Sequence, residues 1–192
     1  MRQPYIDVAQ IYFSNAKIVI NKYHFIRQVG WAIELIRKRL QKSMPKKLRK
    51  YFKHSRRLIL IRYYSLSDDK KQECDLMLLY NDDLRKAHYL KEMFYEICQN
   101  SKYSEQRTDF WNWIKEAESS GIPEFEKCAK TYRNWSKYIL NAYKHSHEYS
   151  CAIGSSAIIR YYCYIPCTST LLQATACHIF HTLYVLSFLI CY

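Results

Sequence analysis

A polar residue, Asn21, closes a short apolar run near the start of the chain. Residues 16–21 have the pattern of a buried strand, and helical periodicity begins at His24. The end of a buried strand that leads into a helix often carries catalytic or ligand-binding side chains in α/β folds. Asp7 and His24 are the other polar residues close to this strand in the sequence. Asn21 is therefore the first candidate for chemistry.

The side chain of Asn21 is a poor choice for binding a metal ion. A two-metal nuclease or phosphoryl-transfer site needs two or three carboxylates around a pair of Mg²⁺ ions. An amide oxygen can contact Mg²⁺ but brings no negative charge. The residues by themselves therefore favour a structural cap between strand and helix, and they predict no bound metal here.

The second candidate is a basic run at residues 37–57, which holds eleven Lys and Arg residues in 21 positions and no acid. A solvated helix face normally mixes both signs of charge, so the missing acids favour contact with the phosphates of a nucleic acid. As one helix the run would extend roughly 30 Å, and Tyr51 and Phe52 inside it could stack on bases or pack internally. The predicted contacts are Arg37, Lys38, Arg39, Lys42, Lys46, Lys47, Arg49, Lys50, Lys53, Arg56 and Arg57.

Other catalytic patterns are missing from the sequence. The chain has three scattered glycines, which exclude a glycine-rich phosphate loop, and no serine stands in a nucleophile-elbow pattern. Cys163 and Cys167 precede His178 and His181, but the spacing of these pairs does not fit a zinc finger. We therefore expect no metal and no small-molecule substrate.

The composition divides the chain into two unlike parts near residue 144. The first 143 residues hold 28 of the 30 Lys and Arg residues, whereas residues 144–192 hold five of the eight cysteines. Residues 171–192 are uncharged and long enough to span a bilayer, although Gln173, His178 and His181 weaken that reading. We expect a Cys-rich tail that is translated out of frame, and the alternative is a membrane anchor on a small basic protein that binds nucleic acid.

The net charge of +13 favours a polyanionic partner, DNA before an anionic membrane. Met1 is followed by one arginine and then polar sequence, a start that does not predict a secretory signal. We therefore expect a cytoplasmic protein with reduced cysteines and no membrane partner.

Periodicity and punctuation predict a mainly helical chain. Phe25, Val29, Ile33, Ile36 and Leu40 form one apolar stripe, and Pro45 should break the helix that carries it. A short helix is predicted at residues 4–13. Four later features mark helix ends: Ser67, Asn81 and Ser104 as N-caps, and Gly121 before Pro123.

Three stretches of the chain resemble the bacterial insertion-sequence transposases of the ISL-three group, which carry a DDE catalytic domain. The first is "AKIVINKYHFIRQVGWAIELIRKRLQK" at residues 16–42. The others are "LLYNDDLRKAHYLKEMFYEI" at 78–97 and "FEKCAKTYRNWSKYILNAY" at 125–143. The order, spacing and punctuation of the family are kept over about residues 5–143.

The resemblance implies a ribonuclease-H-like core in which three acids hold two Mg²⁺ ions, with a helical array inserted before the third acid. The intact family cleaves DNA at transposon ends and joins the 3′-hydroxyl to target DNA, and its members can form oligomers. In this comparison Asn21 falls on the position of the second aspartate. The segment after Tyr143 departs from the family's Gly-Pro-Thr-Glu-Gly pattern, and the first aspartate would lie upstream of Met1.

The sequence thus predicts a transposase fragment that binds DNA at most and lacks strand-transfer activity. We expect residues 1–23 to be a remnant of the ribonuclease-H-like core, residues 24–143 the helical insertion region, and residues 144–192 a non-matching tail. The fold class is mainly α, with a remnant strand of the α/β core. No cofactor is expected here, although Mg²⁺ serves the intact family.

Overall fold

The computed structural model describes residues 3–12, 17–54, 56–145 and 161–164. These residues are mainly helical, as the periodicity predicts. In chain order the elements are α1 (Gln3–Tyr12), β1 (Lys17–Ile20), α2 (Lys22–Gln41), α3 (Lys46–His54), α4 (Arg56–Leu60), a 3₁₀ turn (Tyr63–Ser65), α5 (Asp68–Leu79), α6 (Asp82–Gln99), α7 (Tyr103–Glu118), α8 (Pro123–Lys144) and β2 (Tyr161–Tyr164).

Most of the predicted helix ends are where the sequence places them. The side chain of Asn21 accepts a hydrogen bond from the Tyr23 amide, and that of Asn81 accepts one from the Leu84 amide. Gly121 has a φ of 69°, which only glycine adopts without strain, and Pro123 is the first residue of α8.

Two predicted caps need correction. Helix α5 begins directly after Ser67, but the serine side chain makes no capping hydrogen bond. Ser104 is not an N-cap, because α7 already begins at Tyr103. The side chain of Asn100 organises this turn instead, since it accepts a hydrogen bond from the Lys102 amide and donates one to Glu105.

The core lies where α2, α6, α7 and α8 pack on one another. The predicted stripe of α2 faces this core, and its members Phe25, Val29, Ile33 and Ile36 are fully buried. Trp113 of α7 is also fully buried, and its indole Nε1 donates a 2.7 Å hydrogen bond to the Leu90 carbonyl. The apolar stripes of separate helices therefore meet in one core.

A two-stranded antiparallel sheet lies beside the helices. Strand β1 pairs with β2, with Lys17 opposite Tyr164 and Ile20 opposite Tyr161. The side-chain amide of Asn141 in α8 donates a 2.9 Å hydrogen bond to the Ile18 backbone carbonyl, which fixes β1 against the helices. Strand β2 comes after the predicted boundary near residue 144, whereas its partner β1 comes before that boundary. The boundary itself stays a prediction.

The basic run does not form one continuous helix. Helix α2 ends at Gln41, α3 begins directly after Pro45, and α4 begins at Arg56. Proline disfavours the helical conformation of the residue before it and fits the first turn of the next helix, as predicted. The run therefore covers three helical segments rather than a straight 30 Å rod.

Candidate nucleic-acid interface and strand-end site

Asn21 connects β1 to α2, and its side chain is used in that connection. The side-chain Oδ1 lies 2.9 Å from the Tyr23 amide nitrogen, and the backbone carbonyl accepts a hydrogen bond from the His24 amide. The side chain thus satisfies one of the amides that the first turn of a helix leaves without an intrahelical partner. This geometry is that of an N-cap, as the residues alone predicted.

Replacing Asn21 with alanine should therefore lower the free energy of unfolding by about 1 kcal/mol, the usual cost of losing an N-cap. Asn21→Asp should keep full stability, because aspartate caps equally well and its charge suits the positive end of the helix dipole. Urea denaturation of both variants measures the difference. Equal stability of the alanine variant and the wild type would contradict the cap.

The residues present do not fit a two-metal site. Among the described residues, no group of three His, Cys, Asp or Glu side chains could hold a metal ion. The one oxygen that Asn21 could offer already accepts the Tyr23 amide. Asp7 is exposed on α1. Glu148, the only acid after Tyr143 and therefore the only residue that could replace the family's third acid, lies outside the described residues. We therefore derive no metal-dependent step.

Helix α3 presents the clearest basic surface of the run. Its apolar side is formed by Leu48, Tyr51 and Phe52, which pack on the core. The opposite side is basic, and its lysines are exposed: Lys46, Lys47, Lys50 and Lys53. Within the described part of the chain, these four lysines form no salt bridge. They are therefore available to an external anion.

Lys42 between α2 and α3 and Arg57 of α4 are exposed as well. Lys38 near the end of α2 is exposed, with its ammonium 4.0 Å from a Glu34 oxygen. These three residues flank the α3 lysines along the chain. The predicted run thus supplies a surface made of the end of α2, the turn, α3 and α4, which we call the α3 basic surface.

Arg37 is placed inside the protein rather than on this surface. Its guanidinium donates hydrogen bonds of 2.9 and 2.7 Å to the two oxygens of Glu34, and a third to the Phe52 carbonyl. The residue is 4% exposed. Arg37 therefore connects α2 to α3, and its guanidinium is not accessible to a nucleic acid.

Three further arginines of the run are partly occupied by partners within the chain. Arg39 pairs with Glu124 at 2.8 Å and Asp83 at 3.1 Å, which joins α2 to α8 and α6. Arg56 lies 3.1 Å from Glu34. Arg49 donates to backbone carbonyls at the end of α2 and in the following turn.

Glu34 is the acid that the count over residues 37–57 missed, because it stands three residues before Arg37. Burial raises the pKa of its carboxyl group, but the hydrogen bonds and charge of Arg37, together with Arg56, outweigh burial and leave the pKa lowered. The side chain is 10% exposed. Glu34 therefore stays charged at neutral pH and offsets charge at one end of the run.

Phe52 cannot stack on a base. It is 1% exposed, and its ring lies edge-on to Tyr80 with the ring centroids 5.4 Å apart. The Tyr51 hydroxyl lies 3.5 Å from the Glu73 carbonyl. The internal alternative, packing rather than stacking, is therefore the correct one for Phe52.

Sequence reasoning missed the outward face of α2. Tyr23, Trp31 and Leu35 are about half exposed, and Arg27 lies between them in the sequence. The guanidinium of Arg27 covers the Trp31 ring at 4.5 Å from its centroid. The signal was available, since these four residues recur at every fourth position opposite the apolar stripe.

The predictions on the tail fall largely outside the described residues, which include only 144–145 and 161–164 of it. Where the structure does describe the chain, no helix is both long enough and apolar enough to cross a bilayer. Among the described residues, Cys74, Cys98 and Cys128 are free thiols.

A family model described as a transposase, that of the DDE transposases of the ISL3 (ISL-three) group, matches residues 1–154. No curated protein and no solved structure matches the chain. The matched span includes β1, α2 and α8 and continues past residue 143, where the sequence resemblance was expected to end. Because this span covers most of the 192 residues, the chain belongs to the ISL-three group of DDE transposases.

Proposed function

We propose that this protein is a DNA-binding member of the transposase family that lacks strand-transfer activity. The observation that carries the DNA-binding half is the α3 basic surface, where four exposed lysines lie on one side of a short helix. Exposed cations without internal partners gain most from phosphates, because binding releases the counterions condensed on DNA. The family model supports DNA as the partner in general.

The absence of strand transfer is proposed from the strand end. In the family resemblance Asn21 takes the place of a metal-binding aspartate, and here its amide oxygen is an N-cap. Residues 1–23, which include β1, would be the remnant of the ribonuclease-H-like core around that position. A single Asp→Asn change removes charge that two Mg²⁺ ions require. Because bacterial DNA lies in the cytoplasm, we also propose the cytoplasm as the compartment.

DNA binding is tested by changing Lys46, Lys47, Lys50 and Lys53 together to glutamine. We expect the affinity for a DNA duplex at low salt to fall at least about tenfold, and the slope of log K against log salt to decrease by about 3 to 4. Fluorescence anisotropy over a salt series measures both quantities.

The matched control changes four exposed lysines on other helices, Lys86, Lys115, Lys130 and Lys137, to glutamine. It removes the same total charge, so a loss that comes from net charge alone would be equal in both variants. Equal losses would contradict the α3 basic surface as the binding site. A second measurement tests the absence of catalysis. If the protein cleaved duplex DNA in the presence of Mg²⁺, and substitution of Asn21 abolished that cleavage, the assignment as inactive would be contradicted.

A further inference from the structure

A groove of about 450 Å³ separates the outward face of α2 from α8. On the α2 side it is lined by Trp31, Ala32 and Leu35. On the α8 side it is lined by residues that share one helix face at spacings of three and four, including Lys127, Cys128 and Thr131. The groove thus has an apolar wall on α2, made of one aromatic and two aliphatic side chains, and a more polar wall on α8.

Two large apolar side chains that line this groove, Trp31 and Leu35, are unusually exposed to solvent. Trp31 is 47% exposed and Leu35 54% exposed, although both are large and apolar. Large exposed apolar groups that adjoin one another mark binding surfaces more often than isolated ones do. The Arg27 guanidinium lies over the Trp31 ring, so the apolar wall carries a cation beside it.

The charges around the groove favour an anionic chain. Two carboxylates line it, but Glu34 is held by Arg37 and Glu124 by Arg39. Two exposed lysines line it as well, Lys38 and Lys127.

The floor of the groove adds no negative charge. Cys128 is 5% exposed, and burial raises the pKa of its thiol to about 12, so the thiol is uncharged at neutral pH. An anion near the lysines therefore meets no uncompensated negative charge among the described residues that line the groove.

The groove is also continuous with the α3 basic surface. Lys38 belongs to both, because it lines the groove and stands at the end of α2 that leads into the basic turn. A nucleic-acid strand that runs from the α3 basic surface past Lys38 would therefore bring its bases to Trp31. Proteins that bind single strands combine these two features, a basic track and an exposed aromatic platform.

We propose that the groove between α2 and α8 binds an unpaired base of single-stranded DNA, with the base stacked on Trp31 and the adjacent phosphates near Lys38 and Lys127. The proposal rests on the proposed DNA-binding function and narrows its substrate to DNA that has unpaired bases. A paired base inside a duplex cannot present its face to Trp31, so the groove should not contribute to duplex binding.

The test compares Trp31→Ala and Trp31→Phe with the wild-type full chain. The probes are a labelled oligo(dT) strand and a labelled duplex of equal length. We expect Trp31→Ala to bind oligo(dT) about tenfold more weakly, and Trp31→Phe to recover most of the loss because phenylalanine also stacks. Affinity for the duplex should stay within about twofold. The salt dependence should keep its slope, since stacking releases no counterions.

The matched control is Tyr89→Ala, which removes an aromatic side chain of similar exposure from α6. It should leave binding of both probes unchanged. Circular dichroism checks that each variant is folded. We expect the Trp31 variants to fold normally, because the Trp31 side chain is about half exposed.

Two outcomes would overturn the proposal while leaving the proposed function intact. One is a Trp31→Ala variant that binds oligo(dT) as tightly as the wild type. The other is a variant that changes the oligomeric state without changing DNA affinity, which would mean that the groove seats another copy of the chain. Failure of the proposed function is distinguishable, because the four-lysine variant would then bind duplex like the wild type.

Discussion

Lys91→Met should lower the free energy of unfolding by about 3–5 kcal/mol, the usual cost of removing one partner from a buried ion pair. The Lys91 side chain is completely buried on α6. Its ammonium donates hydrogen bonds to the carbonyls of Ile59 at 3.1 Å and Ile61 at 2.7 Å, and it forms an ion pair with Glu92. Methionine fills the volume but leaves both carbonyls and the carboxylate without this donor.

The loss matters beyond stability because Lys91 holds the end of α4 and the residue after it. Helix α4 contains Arg56 and Arg57, which close the basic run. Chemical denaturation with unchanged m-value gives the measurement. Lys86→Met is the matched control, since Lys86 lies on the same helix but is exposed, and it should change stability by no more than about 0.5 kcal/mol.

A double variant separates the two parts of this cost. Lys91→Met combined with Glu92→Gln removes the uncompensated carboxylate, so it should be less destabilising than the sum of the two single changes. A Lys91→Met variant that loses less than about 1 kcal/mol would contradict the network.

Acidification should destabilise the protein through His88, by about 2 kcal/mol between pH 7 and pH 5 and by about 4 kcal/mol down to pH 3. Burial, followed by the charge of Lys91, lowers the pKa of His88 to about 3. In the unfolded chain the same imidazole has its ordinary pKa of 6.5. The unfolded state therefore takes up a proton below pH 6.5, whereas the folded state does not until pH approaches 3.

The geometry explains why the folded state refuses this proton. The His88 Nε2 lies 3.3 Å from the Lys91 ammonium and 3.9 Å from the Cys74 sulfur. A neutral Nε2 can accept a hydrogen bond from Lys91, whereas a protonated one would place two cations in contact inside the protein. Glu92, at 3.6 Å, is already engaged by Lys91 and by the Tyr63 amide.

Unfolding free energies measured over this pH range in His88→Gln should show a nearly flat profile between pH 7 and pH 5, although the variant is less stable throughout. His54→Gln, which changes an exposed histidine, should keep the wild-type profile. Glu34 does not contribute to the change between pH 7 and pH 5. Because the pKa of its carboxyl group is lowered in the folded state, its effect on the unfolding free energy appears only below about pH 4.5. Identical slopes for wild type and His88→Gln would refute the assignment.

Local signals predicted the helical array because each depends on near neighbours in the chain. The stripe on α2 follows from helical periodicity, the Asn81 cap needs only the amide of Leu84, and Gly121 needs only its own backbone conformation. Ser104 shows where this reasoning fails. A capping residue competes with others nearby, and Asn100 takes over the turn by bonding to both Lys102 and Glu105.

For the nucleic-acid interface, the sequence was less informative than it was for the helices, because it could predict only which residue types belong to the interface. It identified the basic run, but side-chain type alone cannot tell which cations face inward. Arg37 is buried because Glu34 and the Phe52 carbonyl satisfy its guanidinium, whereas Lys50 of α3 stays exposed. That separation depends on how α3 packs against α2, which no spacing within the run reveals.

By itself, the sequence determined the mainly helical class, the positions of most helix ends, the cap at Asn21 and the concentration of positive charge around α3. Membership of the transposase family also followed from the order and spacing of its motifs. Only the tertiary structure decided that β1 pairs with β2, that Arg39 is tied to Glu124, and that Trp31 and Lys127 line one groove. Each of these joins residues that are far apart in the chain, so it depends on the packing of whole helices and not on local preference.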